Sequence, residues 1–355
     1  MGSSKAGERP SGKAAKKSRK ESAKKSGRKS AKKDSAKKDS ANKAVAVAPP
    51  FPATGPGRLP APKPAPGHLQ ERRTGAGPSS ATEAFRVPRL VPPFSSWSTV
   101  GADIGPESEK QAEKAMEDIS ERLAQLQERL YAQGQAGDRR RVLVILQGMD
   151  TSGKDGVTRH VLDAVNPLGL HLASFKKPTA EELAHDFLWR IEKQVPEPGV
   201  IGVFNRSQYE DVLVVRVHEL VPPAVWGKRF AQINAFERRL YRQGVTVLKC
   251  FLHISPETQK ERLLARLDDP EKYWKYNPGD VDERAYWDAY QAAYADVLRR
   301  CNTLVAPWHV IPSDEKWYRN WAVAQLLVET LERIDPQFPP ADFDVEAERA
   351  RLEQL

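Results

Sequence analysis

The stretch LQGMDTSGKDG, residues 146–156, decides how the chain is read. Gly148, Gly153 and Lys154 have the spacing of a phosphate-binding loop. The run before it, VLVILQ at 142–147, is short, apolar and rich in β-branched residues, which predicts a buried strand. After it, Val157, Val161, Leu162 and Val165 recur at helical spacing, which predicts a helix from about Lys154. Strand, glycine loop and helix together are the context such a loop requires. The glycines let backbone N–H groups turn toward phosphate oxygens, and the helix N-terminus adds its positive dipole end. An ordinary glycine-rich turn shows the same spacing by chance, so the flanking pattern is what favours phosphate. Two acids stand out: Asp155 where Ser or Thr usually follows the lysine, and Asp150 inside the loop.

Working outward, strands and helices alternate. HLASF (171–175), GVIGVF (199–204), VTVLKCFLHI (245–254) and a segment within 304–312 read as strands. Thr179 with Glu182 forms a capping box opening a helix whose apolar face is Leu183, Phe187, Leu188 and Ile191. A helix over 223–243 carries Phe230, Ile233, Phe236 and Leu240 and ends at Gly244; another follows the Ser255 cap and Pro256, and a last runs over about 317–333. Ala112, Met116, Ile119, Leu123, Leu126 and Leu130 mark a helix over 106–133, ended by Gly134 and Gly137. Its pattern is short, which favours packing on the domain over a coiled-coil seam. The alternation predicts an α/β fold with a mostly parallel sheet covered on both faces.

Charge is unevenly placed. Residues 1–45 hold 16 of the 56 Lys and Arg and 4 of the 47 Asp and Glu, net +12, leaving 40 and 43 for the rest, net −3. The basic balance therefore belongs to the tail and does not make the body a nucleic-acid binder. Residues 1–48 are Lys/Ala/Ser-rich and predicted to be disordered; 49–84 are Pro/Ala/Gly-rich and predicted to be a linker, with order from Phe85. No aromatics are interleaved in residues 1–45, so the tail suits polyphosphate or nucleic-acid backbone rather than stacked bases, or simply solvation. Two cysteines exclude a disulfide framework and fit a reducing compartment. No apolar run reaches the ~18 residues of a membrane span, so the expectation is a soluble, cytoplasmic protein. The seven histidines show no metal-ligand spacing.

Three more stretches carry candidate chemistry. FNRSQYED (204–211) ends the third strand, where open α/β sheets bind ligands. Asn205, Arg206, Glu210 and Asp211 are expected to face the crevice, Arg206 on phosphate oxygens and Asp211 on a metal; the acids equally suit a helix N-terminus. SFKKPT (174–179) adds Lys176 and Lys177, which also read as a solvated basic turn. Within 260–284, Arg262 and Arg266 share a helical face, and Lys272 and Lys275 alternate with Tyr273, Trp274 and Tyr276. A cationic segment before a Pro-Gly break suits a lid over a polyanion, or an exposed helical hairpin.

Taken together, GMDTSGKDG, SFKKPTAEELAHDFLWRI, GVFNRSQYEDVLVVRVH, RLLARLDDPEKYWKYNPGD and WHVIPSDEKWYRN, in this order over about 85–335, resemble the polyphosphate kinase type 2 family. The resemblance implies a three-layer α/β/α P-loop kinase core at 141–335 with a helical lid at about 260–300, a helical segment at 85–140 packed on it, and a tail at 336–355. It implies transfer of the terminal phosphoryl group of inorganic polyphosphate to a nucleotide with Mg²⁺, in a homo-oligomer, dimer or tetramer. FNRSQYEDVLVVRVH resembles the group acting on AMP and ADP, with Gln208 where that group often has His; GDP is a further acceptor to test. The family's functional positions map onto Asp150, Lys154, Arg206, Glu210 and Asp211 as catalytic groups. Asn205, Arg206 and Glu210 would bind nucleotide. Gly148, Thr151, Ser152, Gly153, Lys154, Asp155, Gly156, Lys176, Arg262 and Arg266 would bind phosphate, and Asp150 and Asp211 would hold Mg²⁺. An ATP-dependent nucleotide kinase and a non-catalytic polyphosphate- or DNA-binding protein are the rival readings; the carboxylates beside the loop disfavour the second.

Overall fold

A computed structural model of the chain describes residues 79–355; the basic tail and residues 49–78 of the expected linker lie outside them. Five parallel strands are β1 Arg141–Gly148, β2 Leu170–Ser174, β3 Ile201–Asn205, β4 Val245–His253 and β5 Trp308–Pro312, in the order β2-β3-β1-β4-β5. The helices are α1 Ala81–Phe85, α2 Glu109–Gln135, α3 Lys154–Val161, α4 Ala180–Leu183, α5 Trp189–Glu192 and α6 Val214–Val217. They continue as α7 Pro223–Arg242, α8 Pro256–Leu267, α9 Gly279–Glu283, α10 Trp287–Arg300, α11 Lys316–Ile334 and α12 Val345–Glu353.

Strand β1 shows why the sheet has two cores. Its residues alternate faces: Val142, Val144 and Leu146 pack with α2, α3 and α11, while Leu143 and Ile145 pack with α7 and α10. Both sets are fully buried, so β1 reads as a continuous apolar run. Helix α2 lays Ile119, Leu123, Leu126 and Leu130 into the first core beside Leu327 and Leu331 of α11. Across the sheet, Phe230, Ile233 and Phe236 of α7 meet Val297 and Leu298 of α10. The sheet with helices on both faces is the three-layer α/β/α arrangement expected from the alternation.

The strand order places the phosphate loop at a topological switch point. The chain leaves β1, crosses to β2, returns through β3, then passes over β1 to β4. Leu146 pairs with Asn205 of β3 and Gly148 with Leu252 of β4, so the carboxyl ends of three strands open into one crevice.

Four expectations are corrected. Residues 79–84 belong to the fold: Ala81 and Thr82 donate their amides to the Glu329 carboxylate at 2.9 Å, and Phe85 packs edge-on against Tyr318 and Trp321. The helix opened by the Thr179–Glu182 capping box stops at Leu183, which is 70% exposed, and resumes as α5. Asp186 accepts from the Leu188 amide at 2.9 Å, a local alternative to the helical bond. Helix α3 ends at Val161, so Leu162 and Val165 are buried from the following turns. The lid is narrower than 260–300, because Ala293, Val297 and Leu298 of α10 are core residues.

Candidate active site

The loop 148–154 is shaped by its glycines. Gly148 has φ +154°, and a Cβ there would meet the Leu252 carbonyl at 2.6 Å. At Gly153, with φ +102°, the space a Cβ would fill is taken by the Arg319 guanidinium, 1.8 Å from the ideal Cβ position. Thr151 also adopts a left-handed φ of 66°. Lys154 folds back over the loop, donating to the carbonyls of Gly148 at 2.9 Å and Met149 at 3.1 Å. Burial, helped by the neighbouring Arg206, lowers its pKa to about 8.

Beyond β3 the chain turns sharply. Arg206 has φ 65°, rare for a side chain of its size, and its amide donates to the Leu146 carbonyl at 3.0 Å. Its guanidinium donates to Asp150 Oδ1 at 2.8 Å and to Glu210 Oε2 at 3.4 Å. The Glu210 carboxylate, joined by Asp150, holds its pKa above the ordinary arginine value against the opposing effect of burial. Asn205 donates to Asp155 Oδ1 at 2.5 Å, which gives the unexpected acid after Lys154 a partner across the crevice.

These residues border two cavities. The larger, about 740 Å³, is lined by ten Lys and Arg side chains against three aspartates, so it suits a polyanion. Asp150, Thr151, Gly153, Lys154, Asp155, Gly156, Lys176, Lys177, Asn205, Arg206, Arg262 and Arg266 all border it. The smaller, about 30 Å³, is also lined by Arg206, with Gly148, Asp150, Glu210, Gln259, Glu283, Tyr290 and Tyr294 among others. Asp150 and Arg206 border both.

Two predicted residues stand elsewhere. Ser152 is fully buried, borders neither cavity, and its hydroxyl has no hydrogen-bond partner, as is also true of the Thr151 hydroxyl. Asp211 also borders neither cavity: Arg229 donates to its Oδ1 at 3.0 Å, and Arg190 lies 3.7 Å from Oδ2. Its neighbours hold it behind the turn that carries Glu210, so the expected pairing of Asp150 with Asp211 around a metal is corrected. Burial raises the Asp211 pKa to about 6 against the opposing pull of Arg229 and Arg190.

The chain's own oxygens leave room for a divalent-metal site of a particular kind. No group of three His, Cys, Asp or Glu among the described residues clusters as a metal cage. Mg²⁺ needs only one or two carboxylates when substrate phosphates and water complete its shell. Asp150 and Glu210, on either side of Arg206, supply such a pair.

Sequence reading missed Lys316, Arg319 and Asn320, which close the far wall of the cleft from the start of α11. Arg319 is 3% exposed and donates to the Ser152 carbonyl at 3.2 Å. The only signal was the pair of cations three apart in DEKWYRN. His160, read as an ordinary residue, also borders the cleft. Arg262 is anchored on the loop itself, donating to the Thr151 carbonyl at 2.8 Å. Arg266 donates to Asp280 at 3.3 Å. Both cysteine thiols are buried and pushed up to about 12 by desolvation, so neither is a nucleophile. No helix among the described residues is long and apolar enough to cross a membrane.

Comparison with known proteins identifies the family. The chain is 54% identical over 226 residues to the AMP/ADP-polyphosphate phosphotransferase of Meiothermus ruber, covering 64% of this chain and 83% of that one. It is 46% identical over 231 residues to the ADP-polyphosphate phosphotransferase of Rhodopseudomonas palustris, covering 62% and 78%. The crystal structure of polyphosphate kinase 2 from Arthrobacter aurescens TC1 superposes with a TM-score of 0.72 at 48% identity, covering 78% of this chain and 97% of that one. The profile of the family described as Polyphosphate kinase 2 matches residues 106–339, and the chain belongs to that family.

Proposed function

We infer that the chain is a polyphosphate-dependent nucleotide kinase that moves the terminal phosphoryl group of inorganic polyphosphate onto AMP and ADP with Mg²⁺. The observation that carries this is the meeting of two cavities at Arg206 and Asp150: a long cationic cleft and a small carboxylate- and tyrosine-lined pocket. A polyanionic donor suits the first; the second has room for little more than a single acceptor oxygen beside the shared residues. The names of the Meiothermus and Rhodopseudomonas relatives support AMP and ADP as acceptors.

The chemistry asks little of a base, because a nucleotide phosphate oxygen is already ionised near neutral pH. That oxygen attacks the terminal phosphorus; the bridging P–O bond breaks, and the shortened polyphosphate leaves with the electron pair. Catalysis is then positioning and charge neutralisation. Backbone N–H groups of the loop and Lys154 grip the donor, with Lys154 exchanging its carbonyl partners for phosphate oxygens. Arg206 sits where charge develops on the equatorial oxygens. Mg²⁺, held by Asp150 and Glu210, would neutralise charge on the phosphates. Arg262, Arg266, Lys272, Lys275, Lys316 and Arg319 extend the donor path.

Residues 1–45, with their net charge of +12, add a tether for long polyphosphate. The resemblance to the family supports a homo-oligomer, dimer or tetramer, measured by light scattering, and two unreactive buried thiols suit the cytoplasm. The decisive test supplies Mg²⁺ and polyphosphate, with ATP absent, to AMP, ADP, GMP and GDP separately and identifies the products. Phosphorylated AMP or ADP is expected. No product from any acceptor, or product only when ATP replaces polyphosphate, overturns the reading.

A further inference from the structure

We propose that Asp211 is a positioning residue: as shared counter-ion of Arg190 and Arg229, it fixes the Lys176–Lys177 wall of the cleft against the turn that carries Arg206 and Glu210. This rests on the phosphotransfer reading above for its kinetic consequence, though not for its geometry.

The geometry begins with two buried cations. Arg190 has a side chain 7% exposed and Arg229 one 16% exposed, and each needs an anion. Asp211, itself 13% exposed, serves both: Oδ1 accepts from Arg229 at 3.0 Å, and Oδ2 lies 3.7 Å from Arg190 Nη2. Arg229 also donates to the Asp211 carbonyl at 3.0 Å, holding the backbone of the 208–212 turn. The other fork of Arg190 reaches the Lys176 carbonyl at 2.9 Å. Its Cζ lies 5.6 Å from the ring centroid of Phe175, whose amide donates to the Asn205 carbonyl at 3.0 Å.

One guanidinium thus spans the main chain after β2 and the carboxylate after β3. Lys176 and Lys177 face the cleft from the first segment; from the second, Arg206 borders both cavities and Glu210 the smaller one. Oδ1 of Asp211 is hydrogen-bonded to Arg229 and Oδ2 is ion-paired with Arg190, which also has Glu182 Oε2 at 3.8 Å, so a metal would have to displace buried guanidinium groups to reach Asp211. A planar fork holds its two acceptors in fixed, widely separated directions, whereas an ammonium is a compact, rotatable point charge.

The test compares Asp211→Asn, Arg190→Lys, Lys176→Ala and the Asp211→Asn/Lys176→Ala double variant in the full chain. Asp211→Asn and Arg190→Lys are expected to raise the KM of the phosphate substrate that Lys176→Ala weakens, by about 10-fold, the size of one lost charged hydrogen bond. The double variant should lie within about twofold of the worse single, because both act through one contact. Half-saturating Mg²⁺ should stay near the wild-type value. By hydrogen exchange, amides of residues 176–190 should open faster in Asp211→Asn and in Arg190→Lys than in wild type. Multiplying effects with a raised Mg²⁺ requirement would make Asp211 a metal ligand and overturn the proposal. A lowered thermal midpoint with unchanged KM values would make the cluster merely structural and overturn it as well. If wild type transfers no phosphoryl group, the functional reading fails, and the exchange rates at 176–190 decide the anchor alone: faster exchange upholds it, unchanged exchange overturns it. Arg190→Lys gives the same readouts if Asp211→Asn does not fold.

Discussion

Arg206 donates to Asp150 across 2.8 Å, and this contact joins the left-handed turn after β3 to the phosphate loop after β1. The guanidinium competes with any cation for the Asp150 carboxylate. Phosphate oxygens entering the cleft would compete for Arg206, and Asp150 would then be free to hold a divalent metal that neutralises phosphate charge. Replacing Asp150 with Asn keeps the shape and removes the charge. Turnover is expected to fall at least ~10²-fold, since the lost interaction acts on transition-state charge. The pair is part-exposed, so the thermal midpoint should hardly move. Initial rates of nucleotide phosphorylation beside a thermal scan check both; a near wild-type rate would remove Asp150 from the mechanism.

Lys154 sets a pH limit. Burial disfavours its ammonium and brings its pKa to about 8 in the free enzyme. Only the protonated form attracts phosphate, so kcat/KM should fall as pH rises through about 8. A bound polyanion favours the charged form, so kcat should hold to higher pH, because kcat reports the complex. Coincident profiles for the two parameters would contradict this. Lys154→Ala should lose at least ~10²-fold in turnover and abolish the alkaline limb.

Much of this site is legible in the chain because it is local. The loop needs only strand, glycines and lysine in sequence, and the apolar run VLVILQ marks a buried strand before it. What fails is the direction of neighbours. Glu210 and Asp211 are adjacent, but in the 3₁₀ turn 208–212 successive side chains diverge by about a third of a turn. One faces Arg206, and the other is claimed by Arg190 and Arg229, which nothing in FNRSQYED reveals. Arg319 was missed for the opposite reason: it lies 166 positions from Gly153 and arrives only because α11 packs beside α3.

A buried ion pair supports the catalytic turn from behind. Lys249 Nζ lies 2.8 Å from Glu237 Oε2, both fully buried, and the Tyr209 hydroxyl bonds each of them at 2.9 and 2.6 Å. Glu237→Gln or Lys249→Met alone leaves a bare buried charge and should cost ~3–5 kcal/mol. The double variant should cost less than the worse single, read from urea unfolding. Additive losses would show the two groups acting independently.

The basic segment predicts a length-dependent effect. Removing residues 1–45 takes away a net charge of +12. The KM for long-chain polyphosphate should rise at low salt, while that for short chains, which reach only the cleft, stays put. The difference should fade with added salt as counterion release loses its driving force. Equal KM values for both chain lengths with and without the segment would remove the tether.

Arg319 separates stability from binding. Its guanidinium is 3% exposed, and its partners are the Ser152 carbonyl and the Asn320 amide oxygen rather than a counter-ion. Burial, with Arg262 nearby, lowers its pKa to about 9, so the free fold bears a desolvated charge that a phosphate chain would neutralise. Arg319→Met keeps the bulk against Gly153 and removes the charge. Without ligand, the thermal midpoint should hold or rise. Tripolyphosphate should stabilise wild type more than the variant, because stabilisation follows the ratio of ligand concentration to Kd. The KM for polyphosphate should rise about 10-fold, in line with one lost charged hydrogen bond. A variant that melts several degrees earlier yet keeps its polyphosphate KM and its tripolyphosphate shift would make Arg319 a strut for the loop, and the donor path would then run along Arg262 and the lid cations alone.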